Sequence, residues 1–252
     1  MKFTILMFLL IPTILIANPN KNRETISPNV DLTTICELPV YINIGEIKDK
    51  VIPTIVYAKI KYDISGFYKG DIVEVIEDVG HGKNYRVKRD DFSNWVPRYA
   101  FEFIETHESS PPHLEPFELE LYVNHSGFES ETNYFIWVDL ARQMVYIFTG
   151  EKENWSIHRL LICSTGKQET STIRGTFSIQ NRDLELHSTE YARYWVKFYD
   201  EYLFHSTPLD LDGNVVDPTL GSPASGGCIR LQLDDAMWFY ETIPVNTTVW
   251  VN

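Results

Sequence analysis

The chain has 252 residues, room for one large domain or two small ones, and 44% of them are apolar, enough to pack a core. Acidic residues outnumber basic ones, 35 to 22, and the resulting net charge of −13 repels nucleic acid and anionic lipid surfaces. An aromatic content of 13% suits pleated β-structure, where flat rings pack well.

Lys2 followed by the almost wholly apolar residues 3–16 and the small Ala17 reads as a signal peptide or N-terminal anchor over 1–17. The apolar run is short for a membrane span and Pro12 interrupts it, so membrane attachment is expected only if the segment stays uncleaved. Either outcome places the mature protein outside the cytoplasm, in the periplasm or cell wall. Residues 18–35 are polar, carry Pro19 and Pro28, and read as a linker. Three cysteines, Cys36, Cys163 and Cys228, leave at least one thiol outside any pairing within the chain; Cys36 and Cys163 read as small buried hydrophobes.

Residues 36–105 form the first folded region. Ile72-Val73-Glu74-Val75-Ile76 follows the turn pair Gly70-Asp71, Asn84-Tyr85-Arg86-Val87-Lys88 alternates, and Ser93-Asn94-Trp95-Val96-Pro97 follows Asp90-Asp91. Short strands at this spacing suggest a small barrel. Together with Tyr99-Ala100-Phe101 they resemble bacterial SH3-type domains, which implies binding to wall peptide or glycan; a spacer without a ligand is the alternative. Residues 106–117, with Pro111, Pro112 and Pro116, read as a Pro-rich linker, because adjacent prolines exclude helix and disfavour a central strand.

Residues 118–252 are dominated by strand patterns. Residues 134–139 and 143–148 flank a turn at Ala141-Arg142 and predict a hairpin. Further strands are expected at 158–163, 175–179, 195–198, 202–205 and 248–251. One helix is expected from Asp235 to Thr242, capped by Asp234, stopped by Pro244 and buried along Leu233, Met237 and Tyr240. Tyr191, Tyr194 and Trp195, within 181–200, could line a lid over a cleft or pack in the core.

Chemistry concentrates in Ser225-Gly226-Gly227-Cys228-Ile229-Arg230-Leu231. The small residues ahead of Cys228 permit a sharp turn, an accessible thiol and backbone N–H groups facing a reacting carbonyl. Ile229 and Leu231 alternate with Arg230 as on a strand. A thiol nucleophile needs a proton acceptor, and His205 stands 23 positions earlier at the end of the aromatic run Tyr202-Leu203-Phe204, where a sheet would hold it and the following loop would leave it open. The histidines form no metal-binding spacing and no Cys-x-x-Cys occurs, so neither a metal nor a cofactor is expected.

In these residues the chain resembles the L,D-transpeptidase catalytic domain of the YkuD family, whose signature is a His followed by Gly or Ser, then a loop, then Ser-His-Gly-Cys, an apolar residue and Arg. His205-Ser206 and Ser225-Gly226-Gly227-Cys228-Ile229-Arg230 stand at those places, with Ser164-Thr165-Gly166, residues 173–179 and residues 235–238 as further matches. The family's usual second His is replaced by Gly226, and Ile173-Arg174 departs from its Thr-Pro. The resemblance implies a mainly β protein: an SH3-like barrel, then a YkuD-type β-sandwich with one short helix after the catalytic loop. It implies attack of Cys228 on wall stem peptides through a thioester, with His205 as base, Gly227 and Cys228 N–H groups as oxyanion donors and Ser206 orienting His205. Arg230, Ser225, Gly226, Trp195 and Tyr194 are the residues expected at the substrate, and carbapenem-type β-lactams are expected inhibitors. Cross-linking or exchange of the terminal D-residue is the expected reaction; an L,D-carboxypeptidase or a non-catalytic wall-binding protein are the alternatives.

Overall fold

The structure, a computed structural model, describes residues 43–79, 82–104, 111–187 and 191–252. The targeting segment at 1–17, the linker at 18–35, Cys36 and residues 106–110 of the Pro-rich linker lie outside these residues. Among the described residues no helix is long and apolar enough to cross a membrane.

The first region supplies five antiparallel strands, β1 (Val56–Ile60), β2 (Ile72–Val79), β3 (Asn84–Arg89), β4 (Phe92–Pro97) and β5 (Phe101–Phe103), in the order β4-β3-β2-β1-β5. Alternation decides which side chains go inside: Val73 and Val75 of β2 and Tyr85 and Val87 of β3 join Ala58, Ile60, Val96 and Phe101 in a separate core. Phe67, in the turn between β1 and β2, closes one end of it.

The second region forms one nine-stranded sheet. Its strands are β6 (Tyr134–Asp139), β7 (Met144–Thr149), β8 (Ser156–Ser164), β9 (Gly175–Ser178), β10 (Arg182–His187), β11 (Tyr191–Tyr199), β12 (Tyr202–Ser206), β13 (Ile229–Leu231) and β14 (Thr248–Val251). They lie in the order β10-β11-β12-β13-β8-β7-β6-β14-β9. The expected sandwich is therefore a single curled sheet. Residues from both ends of the order enter one core: Val249 and Val251 of β14, Val196 and Phe198 of β11, Phe204 of β12 and Ile229 and Leu231 of β13. Phe177 of β9 meets Phe198 of β11 at 5.7 Å between ring centroids, which brings strands far apart in the order into contact.

The hairpin expected at residues 134–148 is present, with Asp139 opposite Met144. Residues 135–138 of its strand β6 are all apolar because both faces are covered: Ile136 and Val138 face the inner core, Phe135 and Trp137 an outer one. The outer face is roofed by α1 (Ile44–Lys50) and α2 (Pro116–Ser126), two helices the sequence reading did not anticipate. Pro116, expected to close a linker, instead occupies the first turn of α2, where its missing N–H costs nothing and its fixed φ favours a helix start. Glu115 and Glu118 cap that end reciprocally. Helix α1 contributes Ile47 and Val51 to the same core as Leu119, Val123, Phe135 and Trp137, so residues ahead of the five-stranded sheet complete the second region.

The helix after the Cys228 loop, α3 (Leu233–Thr242), has Gln232 rather than Asp234 at its N-cap. Its buried residues are Ala236 and Phe239, followed by Ile243, whereas Met237 is exposed. The stripe is displaced because Phe239 stacks on Phe204 at 4.5 Å, which fixes the helix rotation over β12.

Candidate active site

The site is built on β12 and β13, which run parallel with Phe204 opposite Ile229 and His205 opposite Arg230. Cys228 is the residue before β13, so this pairing brings the thiol loop to the strand that carries His205. Phe204 points into the core against α3; His205, its neighbour, points to the opposite face. Cys228 is partly exposed, and its Sγ lies 3.6 Å from the Glu201 carbonyl in the turn before β12.

His205 is almost fully buried, at 4% exposure. Its Nδ1 is 2.7 Å from the backbone carbonyl of Ser206. A carbonyl only accepts, so Nδ1 carries the proton and Nε2 carries the lone pair. Burial, reinforced by the charge of Arg230 and opposed by the Ser206 bond, pulls the imidazole down to about 4. His205 is thus a neutral acceptor at physiological pH. The expected orienting role of Ser206 falls to its backbone: its hydroxyl donates to the Thr207 carbonyl and accepts from Arg193 N–H.

The loop carrying Cys228 is held from below by residues 165–172. Ser225 N–H and Ala224 N–H both donate to the Thr165 carbonyl, at 3.0 and 2.9 Å. Thr165 is braced in turn by Gln143, whose Oε1 accepts its N–H and whose Nε2 donates to its Oγ1. Thr170 Oγ1 donates to the Ser225 carbonyl, and Thr172 Oγ1 donates to the Gly227 carbonyl at 2.7 Å. A Cβ at Gly166 would lie 2.0 Å from the Thr170 carbonyl, so the Ser164-Thr165-Gly166 element needs its glycine for this close approach. Sequence reasoning missed Gln143, Thr170 and Thr172; isolated polar residues carry no spacing signal.

Ser225 Oγ is 2.5 Å from the Cys228 carbonyl and accepts Gly227 N–H at 3.1 Å. Of the two N–H groups expected in an oxyanion pocket, that of Gly227 is therefore engaged with Ser225. Gly227 adopts φ +122°, a conformation side chains disfavour, and a Cβ there would meet the Tyr202 ring at 3.1 Å. Gly226, by contrast, has nothing within 4 Å of its missing Cβ and faces open space.

Arg230 is buried and pairs with Asp217 at 2.7 Å, tying β13 to the long loop that follows β12. Thr219 hydrogen bonds, supplemented by Arg230, hold the Asp217 carboxyl below the usual carboxylate range. Trp195 adjoins core residue Val196 of β11 and so points to the face opposite that core, the face of His205; its Nε1 donates to the Glu185 carbonyl. Tyr194 does not join it: the residue adopts φ +58° and packs on Tyr240 of α3 at 5.8 Å. The 181–200 segment is the β10–β11 hairpin at one end of the sheet.

Cys163 is wholly buried, and desolvation, then the charge of Asp139, pushes its thiol up. Among the described residues no group of three or more His, Cys, Asp or Glu side chains is arranged to hold a metal ion.

Residues 133–251 match the model of the YkuD family, the L,D-transpeptidase catalytic domain. A Bacillus subtilis protein named "Putative L,D-transpeptidase YciB" is 37% identical over 131 residues, 46% of this chain and 66% of that protein. The chain thus spans somewhat less than two thirds of that relative. A solved Clostridium acetobutylicum structure, a fused Zn-dependent amidase/peptidase/peptidoglycan-binding domain-containing protein, is 34% identical with TM-score 0.48 and covers 54% of this chain and 59% of its own. A solved LD transpeptidase in complex with imipenem is 12% identical with TM-score 0.39 and covers 84% of this chain and 87% of its own. By family model and curated relative, residues 133–251 are similar to the YkuD-type L,D-transpeptidase catalytic domain.

Proposed function

We propose that the chain is an exported peptidoglycan L,D-transpeptidase acting through a thioester on Cys228. The observation that supports this reading is a partly exposed thiol at the residue before β13 and, on the adjoining strand β12, a buried, neutral imidazole whose tautomer is set by the Ser206 carbonyl. Nε2 of His205 takes the Cys228 proton as Sγ attacks the carbonyl carbon before a terminal D-alanine of a wall stem peptide. The oxyanion is read as facing the backbone N–H groups of Gly227 and Cys228, the first of which Ser225 Oγ accepts at 3.1 Å before substrate arrives. The imidazolium formed is a strong acid, since burial and Arg230 both disfavour it, and it passes its proton to the leaving D-alanine amine. An amine of a second stem then attacks the thioester carbon and loses its proton through His205, while the C–S bond breaks and Cys228 recovers its thiol.

In this reading Arg230 is a structural residue that holds the loop through Asp217. Trp195, Ser225 and Gly226 border the substrate. Carbapenems would acylate Cys228 by the same attack on a strained carbonyl. Residues 56–103 are read as an SH3-like domain that engages wall peptide or glycan. The deciding experiment incubates the purified protein with defined tetrapeptide stems, with and without an acceptor amine, and identifies products by mass. A cross-linked product supports transpeptidation. Tripeptide alone in the presence of acceptor would mean that water resolves the thioester, an L,D-carboxypeptidase. No acyl-enzyme and no product would leave the wall-binding reading.

A further inference from the structure

The five-stranded sheet reaches the site itself. Tyr85 of β3 donates its hydroxyl to the Glu169 carbonyl, Glu74 of β2 pairs with Arg174, and Gln168 Nε2 donates to the Ile104 carbonyl just past β5. Asp78 of β2 accepts the hydroxyl of Tyr202 at 3.3 Å. Each of these links ends on residues 168–174 or on Tyr202. The same two places carry the catalytic loop: Thr170 and Thr172 bond the carbonyls of Ser225 and Gly227, and the Tyr202 ring closes against Gly227 so tightly that a Cβ would sit 3.1 Å from it.

Tyr202 opens β12, three residues ahead of His205, while its ring touches the residue before Cys228. A tilt of this ring would therefore move the thiol and the imidazole relative to each other. The ring is largely buried, and its one described polar tether is Asp78. Desolvation, then the Asp78 charge, pushes the phenol up, so it remains a donor throughout the working pH range. At 3.3 Å the bond is long for a hydroxyl on a carboxylate, and the Asp78 charge strengthens it relative to a neutral acceptor at the same distance.

We propose that Asp78 is a positioning residue for the catalytic loop, acting through Tyr202 on Gly227 and Cys228, so that the five-stranded sheet is part of the catalytic apparatus. This rests on Cys228 being the nucleophile and adds to any wall binding by that sheet. The test uses the full chain with Tyr202→Phe, Asp78→Leu, their double variant and Asp78→Asn. Three quantities are read: single-turnover acylation by a stem tetrapeptide, iodoacetamide alkylation of Cys228 near neutral pH, and the melting temperature.

Tyr202→Phe and Asp78→Leu should each slow acylation and alkylation about tenfold, the effect of one such hydrogen bond on a barrier, with peptide affinity unchanged. The double variant should be no slower than Asp78→Leu, because both single variants remove the Tyr202 link, and only Asp78→Leu also releases the Gly82 N–H that Asp78 Oδ2 accepts at 2.8 Å. Asp78→Asn keeps an acceptor for the phenol and should restore most of the rate. Wild-type rates in both single variants would overturn the proposal, as would rate losses that track melting temperature with Asn no better than Leu. Prompt alkylation of the wild type without acylation by any stem peptide would refute the transpeptidase reading, while the alkylation series would still decide the role of Asp78.

Discussion

Acidification from pH 7 to pH 4 should destabilise the protein through His205. An unfolded histidine titrates near 6.5, whereas burial, aided by Arg230, brings His205 to about 4 in the folded state. The unfolded chain therefore binds this proton first. The contribution of His205 is complete above about pH 6.5 and is lost as pH falls toward 4. The gap amounts to about 3 kcal/mol at the lower end. His205→Asn keeps a side-chain N–H near the Ser206 carbonyl without a titrating ring. Urea unfolding of both proteins at half-unit steps between pH 4 and 7 isolates the effect, since Asp139 and the other carboxyls titrate in both. Wild-type stability should fall relative to the variant by about 3 kcal/mol across that range. A pH-independent difference, or a His205 ring titrating near 6.5 by NMR, would refute the reasoning. The same position implies that acylation of Cys228 should not decline from pH 7 to 5 through loss of the base, because the imidazole stays neutral there.

Cys228→Ala should abolish acyl-enzyme formation while melting like the wild type, whereas Cys163→Ser should retain it but lose about 1–3 kcal/mol, the cost of a hydroxyl in an apolar core; intact mass and urea melts separate the two. Gly166→Ala should destabilise, because its Cβ meets backbone at 2.0 Å, while Gly226→Ala should be nearly silent in melts, since that position faces open space. Arg142→Met should cost about 3–5 kcal/mol by stranding the fully buried Asp139 and releasing the carbonyls of Lys50 and Pro112, measured as a shift in urea midpoint; a change below 1 kcal/mol would mean Asp139 takes up a proton at no cost.

The elements that were legible in the sequence are those whose signal is local. Alternation in residues 84–88 and the apolar runs flanking Ala141-Arg142 correspond to β3 and the β6–β7 hairpin because side-chain period and turn chemistry are short-range properties. The glycines around Cys228 were legible for the same reason, as was a histidine ending an aromatic strand. Helix α2 was not, because Pro116 stops a helix or starts one depending on which side the chain buries, and only the outer core of β6 and β7 decides that.

A His205–Cys228 pair is suggested by motif order, but the state of each member is tertiary. The tautomer depends on the carbonyl of Ser206, the low proton affinity on burial and on Arg230 across the β12–β13 pair, and the loop geometry on Thr165, Thr170 and Thr172 from another segment. Tyr194 and Trp195 are adjacent in sequence, yet strand alternation sends Tyr194 to the core side against α3 and Trp195 to the face of His205. Asp78 lies 150 positions from Cys228 and meets its neighbourhood only because two separately cored sheets pack together. Residue types and their spacing thus determined the reaction class this chain resembles. Which of those residues face one another, and in what protonation state, was decided by long-range packing, since burial and partner charges arise only when distant segments meet.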